Sequence, residues 1–370
     1  LFFISKCFNI FVKFDFLPKT LKIQAMKIPK IIEKLCSSPN IASEKPIFEK
    51  YDKNVQGNTT RERGDTIASI VMPFRDFNEL SDTESQTGIA IATGGNPNLA
   101  KVSARIAAEN AVAEAAIKVA MVGGDFLGVT DCLNFGNPEK PEQMGEFVDA
   151  INGVKKACDH LEIPIVSGNV SFYNESAGRS IPPSAIISVF GKVKDTKNAP
   201  SFSFQNPQET IFLIGARNEN LGGSELLKIM RKEDSRVPKI NFPLVKNWIE
   251  TLKKCVKNNK ISATNFVGRG GLIMALLESS FKKEIGVKIE IPSTWVEEKI
   301  PQFLFGEALG VIVTTTCPDE IRETFGDQAM EIGYTCPDFK ITISHNSEKI
   351  LDTDLNQYKK TWSEKLRTIF

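Results

Sequence analysis

Apolar positions between about residues 52 and 192 recur with two different periods. Ile106, Ala113, Ile117 and Ala120 fall at helical spacing within 103–121, and Gly123-Gly124 supplies a C-terminal stop. A second helix is predicted from Pro141, whose ring suits a first turn. Met144, Phe147, Ile151, Val154, Cys158 and Leu161 should share its buried face. Short apolar runs at 88–93, 126–130, 163–166 and 185–193 read as strands on which both helices lie. A polar, Pro-containing stretch at 194–209 reads as an inter-domain linker. Beyond it the spacing predicts a strand at 210–215 and a helix from Ser224. A longer helix follows, carrying Phe242, Val245, Ile249, Leu252 and Val256, and another over 271–281. Strands at 287–291, 310–315 and 339–344 close the pattern. This irregular order predicts α+β layers rather than an alternating parallel sheet, with no internal repeat.

A chain of 370 residues with 41% hydrophobic content can bury two cores. Lys plus Arg against Asp plus Glu is 46 to 45, so nothing in the totals favours nucleic acid or an anionic membrane; small ligands and protein partners fit better. The seven cysteines are scattered, odd in number and free of CxxC spacing, which argues against a disulfide framework or a zinc site and for a reducing cytoplasm. Residues 1–17 are rich in Phe and Ile, but Lys6, Lys13 and Asp15 break the run well short of a membrane span. No Ala-x-Ala cleavage site follows. The sequence opens on Leu1, and the simplest expectation is that something longer was cut or mis-started upstream.

Two segments carry candidate chemistry. TDCLNFGNPEKPE (130–142) puts Asp131 at the end of a strand, before a Gly/Asn/Pro loop and a helix, where open sheets commonly present ligand-binding groups. A plain connecting loop accounts for the same composition equally well. SGNVSFYNE (167–175) again follows a strand. Gly168 would admit a phosphate close to the backbone, Asn169 offers a neutral oxygen suited to Mg²⁺, and Ser171 could hydrogen-bond a substrate phosphate. A wide turn satisfied by its own Asn and Ser is the competing reading. The chain has no GxxxxGK[ST] run, so a P-loop is excluded.

Together with IPPSAIISVFGKV (181–193) and YDKNVQGNT (51–59), these runs resemble the second half of the phosphoribosylformylglycinamidine synthase family over residues 26–370. GNP (95–97), LGGSE (221–225) and FGE (305–307) add weaker matches. The resemblance implies two domains like the N- and C-terminal domains of aminoimidazole ribonucleotide synthetase. The expected boundaries are 1–44 for a remnant or linker, 45–195 for the sheet domain, 196–346 for the α/β domain and 347–370 for an extension. It implies that Asp131 and Gly168 contact ATP, Asn169 binds Mg²⁺ and Ser171 contacts formylglycinamide ribonucleotide. The implied enzyme is an ATP-dependent carbon–nitrogen ligase of purine biosynthesis. It phosphorylates the substrate amide oxygen, and ammonia from a glutaminase then attacks; a glutaminase subunit and a small bridging subunit are the implied partners. Positioning and charge stabilisation govern such a step.

The family's catalytic histidine and main Mg²⁺ carboxylates belong to the first half, which this sequence does not contain. His160 and His345 read as surface or boundary residues, and Glu84-Ser85-Gln86 as a chance match in a polar turn. No cysteine sits in a nucleophile elbow. Where the family has His-Asp-x-Ser-Asp-Gly-Gly, residues 263–272 read ATNFVGRGGL, with Gly270-Gly271 still placed to start a helix. The expectation is a chain inactive without a first half, its sheet pairing with that half or with a second copy. The alternatives are a non-catalytic fragment that keeps the fold, or a homodimeric relative such as aminoimidazole ribonucleotide synthetase or thiamine-monophosphate kinase.

Overall fold

The computed structural model of the chain describes residues 28–51, 57–62, 64–77, 79–215 and 220–369. Residues 1–24 and most of the run at 51–59 lie outside the described residues.

The first domain is a six-stranded sheet in the order β1-β2-β3-β8-β4-β5. Its strands are β1 (Thr59–Arg61), β2 (Ser69–Val71), β3 (Gly88–Gly94), β4 (Asp125–Asn134), β5 (Ile165–Ser171) and β8 (Ser184–Val193). A small hairpin, β6 (Glu175–Ser176) with β7 (Arg179–Ser180), stands apart. All sheet pairs are antiparallel except β4 with β5. That one needs a crossover, and α6 (Pro141–Leu161) supplies it. The alanine-rich α5 (Ala104–Met121), capped by Ser103 Oγ accepting from the Ile106 amide at 3.3 Å, packs between α6 and the sheet. Short helices α3 (Asp82–Ser85) and α4 (Pro97–Ala100) flank β3, so Glu84 and Ser85 are helical rather than in a turn.

Along α6 the buried residues are Ala150, Gly153, Val154, Ala157, Cys158 and Leu161. Met144 and Ile151, expected on this face, are instead exposed. The apolar stripe drifts because the close approach to α5 is made through small residues, and Gly153, not the larger neighbours, faces that helix.

The second domain is a seven-stranded sheet in the order β10-β12-β9-β13-β11-β14-β15. These are β9 (Thr210–Gly215), β10 (Ala263–Phe266), β11 (Gly286–Ile291), β12 (Gly310–Thr315), β13 (Ala329–Cys336), β14 (Lys340–His345) and β15 (Glu348–Asp354). Its helices are α7 (Glu225–Met230), α8 (Phe242–Lys257), α9 (Gly271–Phe281), α10 (Ile300–Phe305), α11 (Pro318–Phe325) and α12 (Asn356–Glu364). Both faces of this sheet are covered. Phe212, Ile214, Val311 and Val313 join a core that runs through α8 into the first domain, while Ile211, Leu213 and Ile312 face a second core with α9 and α12. Within the segment expected as a remnant or linker, α1 (Ile28–Cys36) packs on α7, α9 and α12, and α2 (Lys45–Phe48) follows it. The predicted extension contributes β15 as the last strand of the sheet.

The linker region is packed, with Thr196, Phe204 and Glu209 buried. The domains therefore share one continuous core instead of being joined by a loose tether. No described helix is long and apolar enough to cross a membrane.

Candidate functional site

The two motif segments fold as neighbouring strands. β4 and β5 run parallel with Asp131 opposite Gly168, Cys132 opposite Asn169 and Asn134 opposite Ser171. The expected loops after Thr130 and Val166 are thus still strand, through Asn134 and Ser171 respectively. Local composition there favours a turn, but each strand supplies the other's ladder partners, and tertiary context wins. The hydroxyls of Thr130 and Ser167 meet at 2.7 Å across the same ladder.

Alternation along the strands puts the four candidate residues on two faces. Asp131 lies on the helix-covered side, over Gly168: a Cβ at Gly168 would stand 2.5 Å from either carboxylate oxygen, so glycine leaves the room that carboxylate uses. Burial raises the Asp131 carboxyl above its ordinary range, and the Asn169 backbone amide donating to it draws it part of the way back. Cys158 of α6 is on the same side; burial, then the carboxylates of Asp159 and Asp131, push its thiol up to about 11. Asn169 and Cys132 project from the open face. Ser171 Oγ accepts from Asn174 Nδ2 at 3.1 Å, and that amide also donates to the carbonyls of Phe135 and Ser171 at 3.0 Å, pinning the turn after β5 to the one after β4.

β5 is the edge of the sheet, and residues 165–170 are all exposed. A single ligand touching both Asp131 and Asn169 must therefore wrap this edge, and Gly168 is the rung with no side chain in its way. Among the described residues no group of three or more His, Cys, Asp or Glu side chains is placed to hold a metal ion. Asn169 offers one neutral oxygen, so these residues do not make a Mg²⁺ site unaided.

Neither histidine reaches β4 or β5. His160 lies on α6, tilted against Phe242 with centroids 4.9 Å apart. His345 is buried, not a surface residue: β15 folds back over the end of β14 and leaves its Nε2 without a hydrogen-bond partner. Sequence reasoning does not single out Cys132, Thr130, Ser167 or Asn174. The period-two alternation of TDCLN, read as strand, carries that signal.

A sheet with one helix-covered face and one open face, followed by a sheet covered on both sides, defines a known class. The AIR synthase related protein N-terminal domain matches residues 75–193 and the C-terminal domain residues 206–346, and the chain belongs to this family. Within it, the chain is a homologue of phosphoribosylformylglycinamidine synthase subunit PurL. It is 33% identical to that subunit from Carboxydothermus hydrogenoformans over 336 residues, 89% of this chain and 44% of the relative. Among solved structures, Thermotoga maritima PurL complexed with FGAR is similar with a TM-score of 0.70 and 12% identity, covering 89% of this chain and 53% of that one. The same protein complexed with ATP gives 0.64 at 13% identity, and both likenesses are of fold. The chain spans less than half the length of the curated relative.

Proposed function

We propose that the chain is the second half of a phosphoribosylformylglycinamidine synthase, with β4 and β5 forming part of its nucleotide site. The observation that carries this reading is the Asp131 carboxylate lying over exposed Gly168, one rung from Asn169 on an open sheet edge. In this reading Asp131 and Gly168 touch ATP, and Asn169 gives one oxygen to a Mg²⁺ whose other ligands are phosphates, water and groups of the first half. Ser171, held by Asn174, meets the phosphate of formylglycinamide ribonucleotide. The ATP-dependent ligase step, with glutamine-derived ammonia from a glutaminase subunit and with a small bridging subunit, requires the first half. A cytoplasmic setting belongs to the same reading, supported by seven scattered cysteines without CxxC spacing.

The test is MgATP binding by the purified chain, with Asn169→Ala beside it. Binding weakened by about tenfold in the variant is expected, equivalent to about 1.4 kcal/mol for one lost ligand contact. Cys132 gives a second readout, because it is exposed at the register position of Asn169. Burial pushes Cys36, Cys158 and Cys255 up to about 12, 11 and 11 respectively. MgATP should slow alkylation of Cys132. No binding and no protection by either measure would remove the nucleotide site from β4 and β5.

The partner in this reading is the first half or a second copy. Apolar groups stand exposed on the sheet and its edge, among them Ile186 at 43%, Val166 at 62% and Leu127 at 51%. β5 also offers an unpaired edge. Sedimentation of the chain alone should therefore give dimers or heavier species; a stable monodisperse monomer contradicts the pairing.

A further inference from the structure

The short runs 95–97, 221–225 and 305–307, none of which has a role in the site above, meet at one point. Glu307 Oε1 accepts two backbone amides, from Glu225 at 2.7 Å and from Gly270 at 2.8 Å. Glu225 is the first residue of α7, and Gly270 is the N-cap of α9, so a single carboxyl oxygen closes two helix amino ends. Both capped elements then reach across the domain boundary. The buried Glu225 carboxylate accepts Asn98 Nδ2 of α4 at 3.0 Å, as well as Asn40 Nδ2 at 2.9 Å and Ser38 Oγ at 2.6 Å. Arg269, next to Gly270, donates from Nη2 to the Gly95 carbonyl at 2.6 Å. Gly223 lets the turn before α7 lie against α4, since a Cβ there would come within 2.7 Å of Leu99 Cα.

We propose that Glu307 is a positioning residue whose carboxyl group, by holding the amino ends of α7 and α9 together, fixes the first-domain turn at 95–98 against the second domain. The turn continues β3, and Thr93, Gly95 and Arg269 line the cleft of about 1480 Å³ between the domains, so the hold also sets the shape of that cleft.

The charged groups facing Glu307 are Glu225 from α7 and Arg269 from the turn before α9, with Lys228 behind them 3.4 Å from Glu225. Burial pushes Glu307 up to about 7; the amides of Gly270 and Glu225 pull it down, the Glu225 charge pushes it up, and Arg269 pulls it down. Glu225 behaves oppositely. Burial raises it, but hydrogen bonds from Ser38 and Asn40 and the Lys228 ammonium together outweigh burial and keep it below the ordinary range, hence charged.

Hydrogen exchange of the purified chain tests this at the amides of Asn98 and Leu99, which donate to Asn96 Oδ1 at 3.1 and 3.2 Å. At one fixed pH their protection factors should fall about tenfold in Glu307→Ala, which leaves the two amides without their acceptor. Glu307→Gln, which keeps an oxygen for the two amides, should restore the wild-type protection. Glu225→Ala, which removes the acceptor of Asn98 Nδ2, should lower the same protection. Three results each overturn the assignment: unchanged protection in Glu307→Ala, a Glu307→Gln chain no better protected than Glu307→Ala, or a Glu225→Ala chain with unchanged protection. None of these readouts involves nucleotide.

Discussion

Gly153→Ala is expected to lower stability by about 2–3 kcal/mol, read as a reduced denaturant midpoint at unchanged slope. Helix propensity predicts the opposite sign, since alanine is favoured over glycine inside a helix by about 1 kcal/mol. Packing decides it. A Cβ at Gly153 would lie 2.3 Å from the Arg105 carbonyl oxygen and 3.1 Å from Ala108 Cβ, and the nearer obstacle is backbone. α5 cannot retreat, because its other sides are buried: Ala111, Val112, Ala115, Ile117 and Val119 are almost wholly enclosed by sheet and core. α6 must therefore move away, opening the seam that also positions Cys158 and, through the β4–β5 crossover, the strand carrying Asn169. Dense packing transmits such a shift instead of absorbing it. A raised or unchanged midpoint would show that α6 can slide at no cost, contrary to the close backbone approach.

That glycine illustrates how much of this molecule is legible from its sequence. Periodicity and punctuation place α5, α8 and α9 within a residue or two: α8 buries one stripe, while α5 and α9 are buried on nearly every side and are marked by Gly123-Gly124 and Gly270-Gly271 at an end. It misassigns the outer face of α6, where the determining residue is one without a side chain. β10 and β13 escape it for a different reason. Thr264, Asn265 and Thr335 are polar yet buried, and their side chains are satisfied by bonds to Ile312, Ala275 and Asn206 that no local pattern announces. The candidate site is legible as text in TDCLN and SGNVS, but not its geometry: adjacency in a parallel pair across α6 makes Asp131 and Gly168 share one face and sends Asn169 to the other. The Glu307 junction is harder still. Its members lie in five separate stretches and contact across more than a hundred residues, as with Asn98 and Glu225.

Trp248→Ala should cost about 3–5 kcal/mol, and should do so for the whole chain rather than for the second domain alone. Trp248 lies on α8 with 1% of its surface exposed, and its ring reaches the turn at Gly215, where a Cβ would meet Cζ2 at 3.3 Å. Deleting the indole removes a large buried surface and leaves a void that rigid strands β9 and β12 cannot fill. The extent of the effect follows from where α8 sits. It packs on α5 and α6, Val256 comes against Gly123, and Lys253 and Lys257 both pair with Asp125 at 3.5 and 2.9 Å. The ion pairs are partly exposed and add little; the shared apolar core is what couples the domains. Calorimetry of the wild type should then show one transition, and the variant one transition at lower temperature. A variant in which a first-domain transition stays at the wild-type temperature would mean that the continuous core does not couple the domains energetically.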